Sequence, residues 1–506
     1  MRYVTISEEM KTIEKYVIDK IGIPSLVLME RAALGISEII KEKLWGKEKI
    51  CIVCGCGNNG ADGVAIARQL MEENCKVDVV VLGKEEKFSE EMKVQLSIYK
   101  KMGGRCFSEI PDKEYEIFID AIFGIGLTRE ITEKTILKAI ETINLSDAYI
   151  YSVDIPSGIN ADTGRVMGRA VKAHETVTFT CEKVGMCLHP GKEYAGKVTV
   201  HSIGIYKEWM DEHTIGHYAF SIEDWKKVLK EYPAGHKGTY GKVLVIAGNN
   251  EISGAALLCA KAAMKCGAGM VKVLSNDKTL DVIRTALPEA MMEALDESEM
   301  IPEIIKKAIK WADVIVCGPG IGTDNEAYKK VEAVLRDFPS GKKLILDADA
   351  INLIAQNSEL KELTKGVKNI AYTPHMMELE RLTGNDMDSL KTDLDYVMKS
   401  RVCDEGGIYV CKDSVTRVYG KDKPVFVNTA GNSGMATAGC GDVLAGMIAA
   451  FVARNGVDFY DGIVGAVSMH SFSADMAARK IGKNSLMAGD IIENVTKVLR
   501  ATEDVS

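Results

Sequence analysis

Ala430 to Gly446 reads A-G-N-S-G-M-A-T-A-G-C-G-D-V-L-A-G. Its small residues end on one acid, Asp442, where an apolar helical run begins (Val443, Leu444, Met447, Ile448, Phe451). Glycines let a backbone turn through positive φ and come close to a ligand. A helix starting near Gly441 leaves its first N–H groups unpaired, and its dipole favours an anion there. The stretch therefore predicts a phosphate cradle with a carboxylate at its edge. A glycine-rich turn with Asp442 as a helix cap is the plainer alternative.

Other chemistry-bearing runs lie earlier. G-C-G-N-N-G-A-D-G, Gly55 to Gly63, satisfies G-x-G-x-x-G through Gly55, Gly57 and Gly60. The second strand, however, ends Val81-Leu82-Gly83 without the acid that holds a ribose, so the match to an ordinary dinucleotide site is weak. D-A-I-F-G-I-G-L-T-R-E (Asp120 to Glu130) and V-D-I-P-S-G-I-N-A-D-T-G (Val153 to Gly164) follow. On spacing alone Asp120 and Asp154 also fit turn caps, and Asp62 fits a helix start. Cys51, Cys54 and Cys56 form C-x-x-C-x-C, but no second pair of soft ligands follows. They read as buried strand cysteines.

These runs need a scaffold. Ser7-Glu8-Glu9 predicts a helix start, with Met10, Ile13, Val17 and Ile21 at helical spacing, and a second helix follows Pro24-Ser25. Short β-like runs come next, at Ile50–Cys54, Val77–Leu82, Ile117–Ile122, Tyr149–Val153 and Thr176–Thr180, with helical stretches such as Val64 to Glu73 between the first few. That alternation predicts a parallel sheet with helices on both faces and ligands at the strands' C-terminal edge. The pattern weakens after Ile205, and Ser221 to Asp224 reads as a new helix start, so a boundary falls near 215 to 221. Beyond it the alternation resumes with Lys242–Asn250, a small-residue helix after Ser253-Gly254-Ala255, Val314–Gly322, Leu344–Asn352 and Thr373–Leu382. His236 to Gly241, H-K-G-T-Y-G, stands at the entrance of its first strand. Val410 to Thr416 follows a further strand and fits a hairpin loop as well as a ligand contact.

The totals set limits. A chain of 506 residues holds about two or three domains. A 46% hydrophobic and 27% charged composition suits a globular protein with full cores. No apolar run reaches the roughly 20 residues of a membrane span, and the first residues lack a signal peptide's apolar core, so a cytoplasmic location is expected. Thirteen scattered cysteines fit reduced thiols. A net charge of −9 without a long basic run argues against nucleic acid as a partner.

Taken together the motifs carry a resemblance. G-C-G-D at a late helix start is similar to the anion hole of ribokinase-like kinases. With N-S-G-M-A-T-A-G before it, and with L-D-A-D-A-I-N and T-P-H…E upstream, the second half resembles the ADP/ATP-dependent NAD(P)H-hydrate dehydratases over nearly its whole length. G-N-N-G-A-D-G, D-A-I-F-G-I-G-L-T-R-E and V-D-I-P-S-G, in that order, resemble the NAD(P)H-hydrate epimerase domain. Two departures are visible. Ala61 stands where many relatives carry glycine, and Met376-Met377 replace the Pro-Gly of T-P-H-P-G-E.

The resemblance implies an α/β protein of two domains, a Rossmann-like three-layer sandwich over 1–217 and a ribokinase-like α/β domain over 218–506. In the first, Asn58, Asn59, Gly60, Ala61 and Asp62, with Gly124, Ile125, Gly126, Leu127, Thr128, Arg129 and Glu130, would bind hydrated dinucleotide. Asp154 would contact the damaged ring and transfer a proton, and Asn59, Asp120 and Ser157 would hold K+, an all-oxygen set suited to a hard cation. In the second, Ala255, Gly320, Gly322, His375 and Asp442 would contact the hydrate. Lys412, Asp413, Ser414, Val415, Thr416 and Gly441 would contact ADP, with Mg2+ accompanying the nucleotide and Asp442 as the base. The expected partners are small molecules and further copies of the chain. Two other classes stay open: a ribokinase-like small-molecule kinase with a nucleotide-binding N-terminal half, and a non-catalytic scaffold.

Overall fold

The computed structural model describes residues 2–43, 48–72, 75–230, 232–295, 301–336 and 338–503. The chain divides into two compact units, Arg2–Tyr218 and Ala219–Ser506. Among the described residues no helix is long and apolar enough to cross a membrane.

In the first unit seven parallel strands lie in the order Arg105–Phe107, Lys76–Val81, Lys49–Cys54, Ile117–Ala121, Tyr149–Val153, Glu175–Phe179 and Lys197–His201. The winding direction reverses between Lys49–Cys54 and Ile117–Ala121, which opens a crevice at their C-terminal ends. Alternation along the strands feeds two cores. Ile50, Ile52 and Cys54 pack with the helices Ser25–Lys41, Asn58–Met71 and Glu90–Lys101, whereas Cys51 and Val53 join Ile140 and Ile143 of the helix Lys134–Leu145 on the other face. This is the expected three-layer sandwich. Cys51 and Cys54 are buried strand residues, as their apolar setting predicts.

Two boundaries differ from the sequence expectation. The helix foreseen from Val64 to Glu73 begins at Asn58, so G-N-N-G-A-D-G is mostly its first turns rather than a loop; Glu73 lies outside the described residues. The first helix is α-helical only over Ser7–Tyr16 and continues as a π-helical turn, Val17–Ile21, that ends at Gly22.

The second unit repeats the winding. Within it the order is Met291–Ala294, Met270–Ser275, Lys242–Ile246, Val314–Cys317, Lys343–Leu346, Ile370–Tyr372 and Ile408–Cys411, all parallel, followed by the antiparallel Arg417–Gly420 and Val425–Val427. The helix Cys440–Ala453 is apolar almost all round and buried, packed between Ser253–Lys265 and Phe459–Ile481. An apolar helix of this kind must sit inside a core. That burial places its N-terminus rigidly at the sheet's ligand edge.

Candidate active sites

The crevice of the first unit is a cavity of about 910 Å³. Asn58, Asn59 and Asp62 line it from the Asn58–Met71 helix, Gly124 to Leu127 with Arg129 and Glu130 from the next loop, and Asp154 from a third. Gly60, Ala61 and Thr128 are not among its lining residues. Ala61 packs into the core instead, which is why a side chain there leaves the cavity open. Gly60 is required for another reason: a Cβ on it would strike the Gly55 carbonyl oxygen.

Asp154 is the most constrained of these residues. Its φ is +66°, a conformation seldom adopted outside glycine. A buried lysine that sequence reasoning missed, Lys183, donates from Nζ to Asp154 Oδ1 at 2.5 Å, to Thr178 Oγ1 at 2.8 Å and to the Phe179 carbonyl at 3.2 Å. Thr178 Oγ1 donates to the same Asp154 oxygen at 3.0 Å. Lys183 is 1% exposed, so this is a pair with little competition from water. The strained backbone is held in place by the buried ion pair. Asp62 is no helix cap. It is the fifth helical residue, and burial, with the charges of Asp154 and Glu14, holds its carboxyl well above the usual range.

Asp120 and Ser157 meet directly. Asp120 Oδ2 accepts from the Ser157 N–H and from Ser152 Oγ, both at 2.8 Å, and Oδ1 accepts from the Ile122 N–H at 3.3 Å. Ser157 Oγ accepts from the Phe123 N–H at 2.8 Å. Asp120 is fully buried with only neutral donors as hydrogen-bond partners, and desolvation raises its pKa. Asn59 reaches the same loop: a Cβ on Gly124 would touch its side chain at 3.3 Å, and its buried Nδ2 has no partner. A buried carboxylate with no charged hydrogen-bond partner and a serine hydroxyl are oxygen donors that fit a monovalent hard cation, to which Asn59 would have to offer Oδ1 rather than its unpartnered Nδ2. Among the described residues no cluster of three or more His, Cys, Asp or Glu side chains forms a softer metal site.

In the second unit Gly439, with φ +87°, precedes the Cys440–Ala453 helix. Asp442 sits in the first helical turn and caps nothing. The N–H groups of Ala438, Gly439 and Gly441 have no protein acceptor among the described residues, leaving donors for an anion. Lys412, at the end of the Ile408–Cys411 strand, donates to Asp347 Oδ1 at 2.8 Å, and Thr373 Oγ1 donates to that oxygen at 2.6 Å. A Cβ on Gly441 would stand 3.4 Å from Lys412 Nζ and 3.8 Å from Asp347 Oδ2, so cradle, lysine and acid adjoin. Burial and the charges of Asp347 and Asp349 push Asp442 up to about 7, against the pull of Lys412. Lys412 is held charged by Asp347, Glu378 and Asp442 despite its desolvation.

The remaining residues divide. Gly320 lies against Ala255, a Cβ there reaching 3.0 Å from the alanine Cβ, and the Gly322 N–H donates to Asp349 Oδ2 at 2.8 Å. His375 caps the helix Met376–Thr383, its Nδ1 accepting from the Met377 and Glu378 N–H groups at 3.2 and 3.3 Å. The unusual Met-Met pair thus opens a helix. Met376 packs partly on the core and Met377 is 54% exposed, so only one of the two methionines turns inward. Asp413 and Ser414 form the exposed tip of the hairpin from Ile408–Cys411 to Arg417–Gly420, while Val415 is buried. Asp475, unforeseen, pins the start of the cradle through the Gly431 N–H at 2.9 Å and Asn432 Nδ2 at 2.8 Å. His236 and Lys237 stay exposed.

Comparison with known proteins identifies the two halves separately. A family model described as YjeF-related protein N-terminus matches residues 25–185, and one described as NAD(P)H-hydrate dehydratase matches residues 243–497. The bifunctional NAD(P)H-hydrate repair enzyme of Moorella thermoacetica is 31% identical over 99% of this chain and 97% of its own. The chain belongs to the bifunctional NAD(P)H-hydrate repair enzyme family. The Dictyoglomus turgidum member is 33% identical over 97% of both chains. Two solved structures match the dehydratase half. A hypothetical protein from Streptococcus mutans is 31% identical, with TM-score 0.51, over 56% of this chain and 99% of its own. A ribokinase-like superfamily protein from Enterococcus faecalis is 28% identical, with TM-score 0.51, over 57% and 98%. The expected ribokinase-like fold is thereby borne out. The protein is a bifunctional enzyme of NAD(P)H-hydrate repair, an epimerase and a dehydratase on one chain.

Proposed function

We propose that residues 1–217 interconvert the R and S forms of NADH or NADPH hydrated at C6, and that residues 218–506 dehydrate the S form with ADP. The observation that supports the second step most is Asp442 beside unpaired N–H groups and Lys412. Hydroxide leaves poorly. In the proposed sequence the C6 hydroxyl oxygen attacks the β-phosphoryl group of ADP, AMP departs, and Asp442 takes the hydroxyl proton. Phosphate then leaves with the C6–O electrons as C5 loses a proton, which restores the double bond. A base with a pKa of about 7 suits this work near neutrality. The N–H groups of Ala438, Gly439 and Gly441 and the Lys412 ammonium would face the charge on the transferring phosphoryl group.

Ala255, Gly320, Gly322 and His375 are assigned to the hydrate, and Lys412 to Thr416 with Gly441 to ADP. Mg2+ would supply charge neutralisation on the nucleotide's phosphates, a role that the carboxylates around Lys412 suit. In the first half Asp154 moves the proton, while Asn59, Asp120 and Ser157 would hold K+. The protein would work in the cytoplasm on small molecules.

The test is absorbance in the reduced-nicotinamide band. Purified S hydrate should recover it with ADP and not without; R hydrate should recover it only as fast as it epimerises. A phosphorylated alcohol accumulating in place of NADH or NADPH would transfer the second half to the ribokinase-like kinases.

A further inference from the structure

The helix Ser7–Tyr16 lies before residue 25, where the N-terminal family match begins, yet it is built into the cavity of the first unit. Its first turn is fastened to two loops at the ligand edge. Ser7 Oγ donates to the Ile125 carbonyl at 2.9 Å and to Asp162 Oδ1 at 2.7 Å, and the Ser7 N–H donates to the same Asp162 oxygen at 2.6 Å. Glu9 accepts from the Ile6 N–H at 3.0 Å and from the Gly216 N–H at 2.7 Å. Met10 and Ile13 are buried beneath. With the helix so fixed, Lys11 and Glu14 form part of the cavity wall, together with Asp62 and Asp154.

We propose that Glu14 is the second proton-transfer group of the epimerase, acting with Asp154 on the two ends of the carbinolamine that C6 and N1 form. The proposal rests on the epimerase reading of this half. Inversion at C6 needs two protons moved. Asp154 removes the hydroxyl proton, the C6–N1 bond breaks with its electron pair going to N1, and Glu14 protonates N1. The products are an aldehyde at C6 and an enamine N–H. Rotation about C5–C6 presents the other aldehyde face. N1 re-adds as Glu14 takes its proton back, and Asp154 returns the first proton to the new oxyanion. No atom or electron is gained or lost, so no co-reactant is required.

The setting suits an acid. Burial and the Asp154 charge push Glu14 up to about 7, while Lys183 and Lys11 pull it down. Asp62 faces the same group and is itself raised in part by it. Asp154, tied to Lys183 through Oδ1, is held in place for the opposite role. Among the carboxyl groups that line the cavity, Asp154 is ion-paired to Lys183 and Glu14 has no ion pair among the described residues, an arrangement that separates acid from base.

The experiment uses the full chain without ADP and follows R-to-S conversion by chromatography. E14Q should lose about 100-fold or more in kcat, with hydrate affinity changed less than threefold and ADP-dependent turnover of S hydrate unchanged. The wild-type rate should fall above about pH 7 as Glu14 loses its proton. E14D should keep that limb at an intermediate rate, and E14Q should lack it. An E14Q chain that keeps its rate, or keeps the alkaline limb, overturns the role of Glu14. A wild-type chain that does not accelerate the interconversion at all overturns the epimerase reading instead.

Discussion

Replacing Asp442 by asparagine should remove dehydration and, at the same time, stabilise the second unit at alkaline pH. The carboxyl is buried at a helix start among Asp347 and Asp349, which carries it from 3.8 to about 7. Between those two values the folded unit holds a proton that the unfolded chain has released. The stability tied to this group is therefore intact below about pH 4, falls as pH rises, and is lost above about 7. At about 1.36 kcal/mol per pKa unit, the ionised form costs the fold on the order of 4 kcal/mol at pH 8. Asparagine is neutral throughout and escapes that cost. Urea unfolding of both proteins should show the variant more stable, with the gap about 2–3 kcal/mol wider at pH 8 than at pH 5. Turnover should fall by about 10²- to 10⁴-fold, and wild-type kcat should rise about tenfold per pH unit below 7. ADP affinity should change little. A stability gap that is the same at both pH values, or a variant that keeps more than about a tenth of its turnover, would refute the assignment of Asp442 as a buried base.

Three further outcomes are expected. Lys183→Met strands Asp154 without its partner, so the first unit should lose about 3–5 kcal/mol in calorimetry, with R–S interconversion lost and dehydration of S hydrate retained. Epimerisation should rise with K+ far more than with Li+ at equal ionic strength, and Asp120→Ala should abolish the difference; equal rates in both salts would leave Asp120 a structural hydrogen-bond acceptor. Gly439→Ala forces a side chain into φ +87° and a Cβ to 2.6 Å from Leu258 Cδ1, so thermal unfolding should show a loss of about 1–3 kcal/mol and kinetics a raised KM for ADP.

The sequence by itself determined the two α/β halves, most of the parallel strands and the loops that line the candidate sites. Strand-length apolar runs such as Ile50–Cys54 have few alternatives once turn and helix signals flank them, and a ligand edge follows from a parallel sheet. Asp442 was legible because its surroundings are contiguous: the small residues that make the cradle and the acid beside it are neighbours in the chain. Asp154 was legible through its own motif. Tertiary structure alone decided what surrounds these acids. Lys183 lies 29 residues beyond Asp154 in T-C-E-K-V-G, a run with no polar pattern of its own, and only the packing of its strand brings Nζ to the carboxylate. Lys412 and Asp347, 65 residues apart, meet because their strands end at one edge of the same sheet, with the Ile370–Tyr372 strand between. Glu14 occupies an ordinary amphipathic helix, where a glutamate reads as a solvated face until the Ser7 contacts fix which way the helix turns. Nor did the sequence foretell that Asn58 to Asp62 are helical, because glycine and asparagine are poor helix formers and the run reads as a loop. A Cβ on Gly60 would strike the Gly55 carbonyl oxygen, so glycine is required at that helical position although it is a poor helix former. Contacts between residues distant in the chain, and the burial that shifts the carboxyl groups, exist only once the sheet has formed.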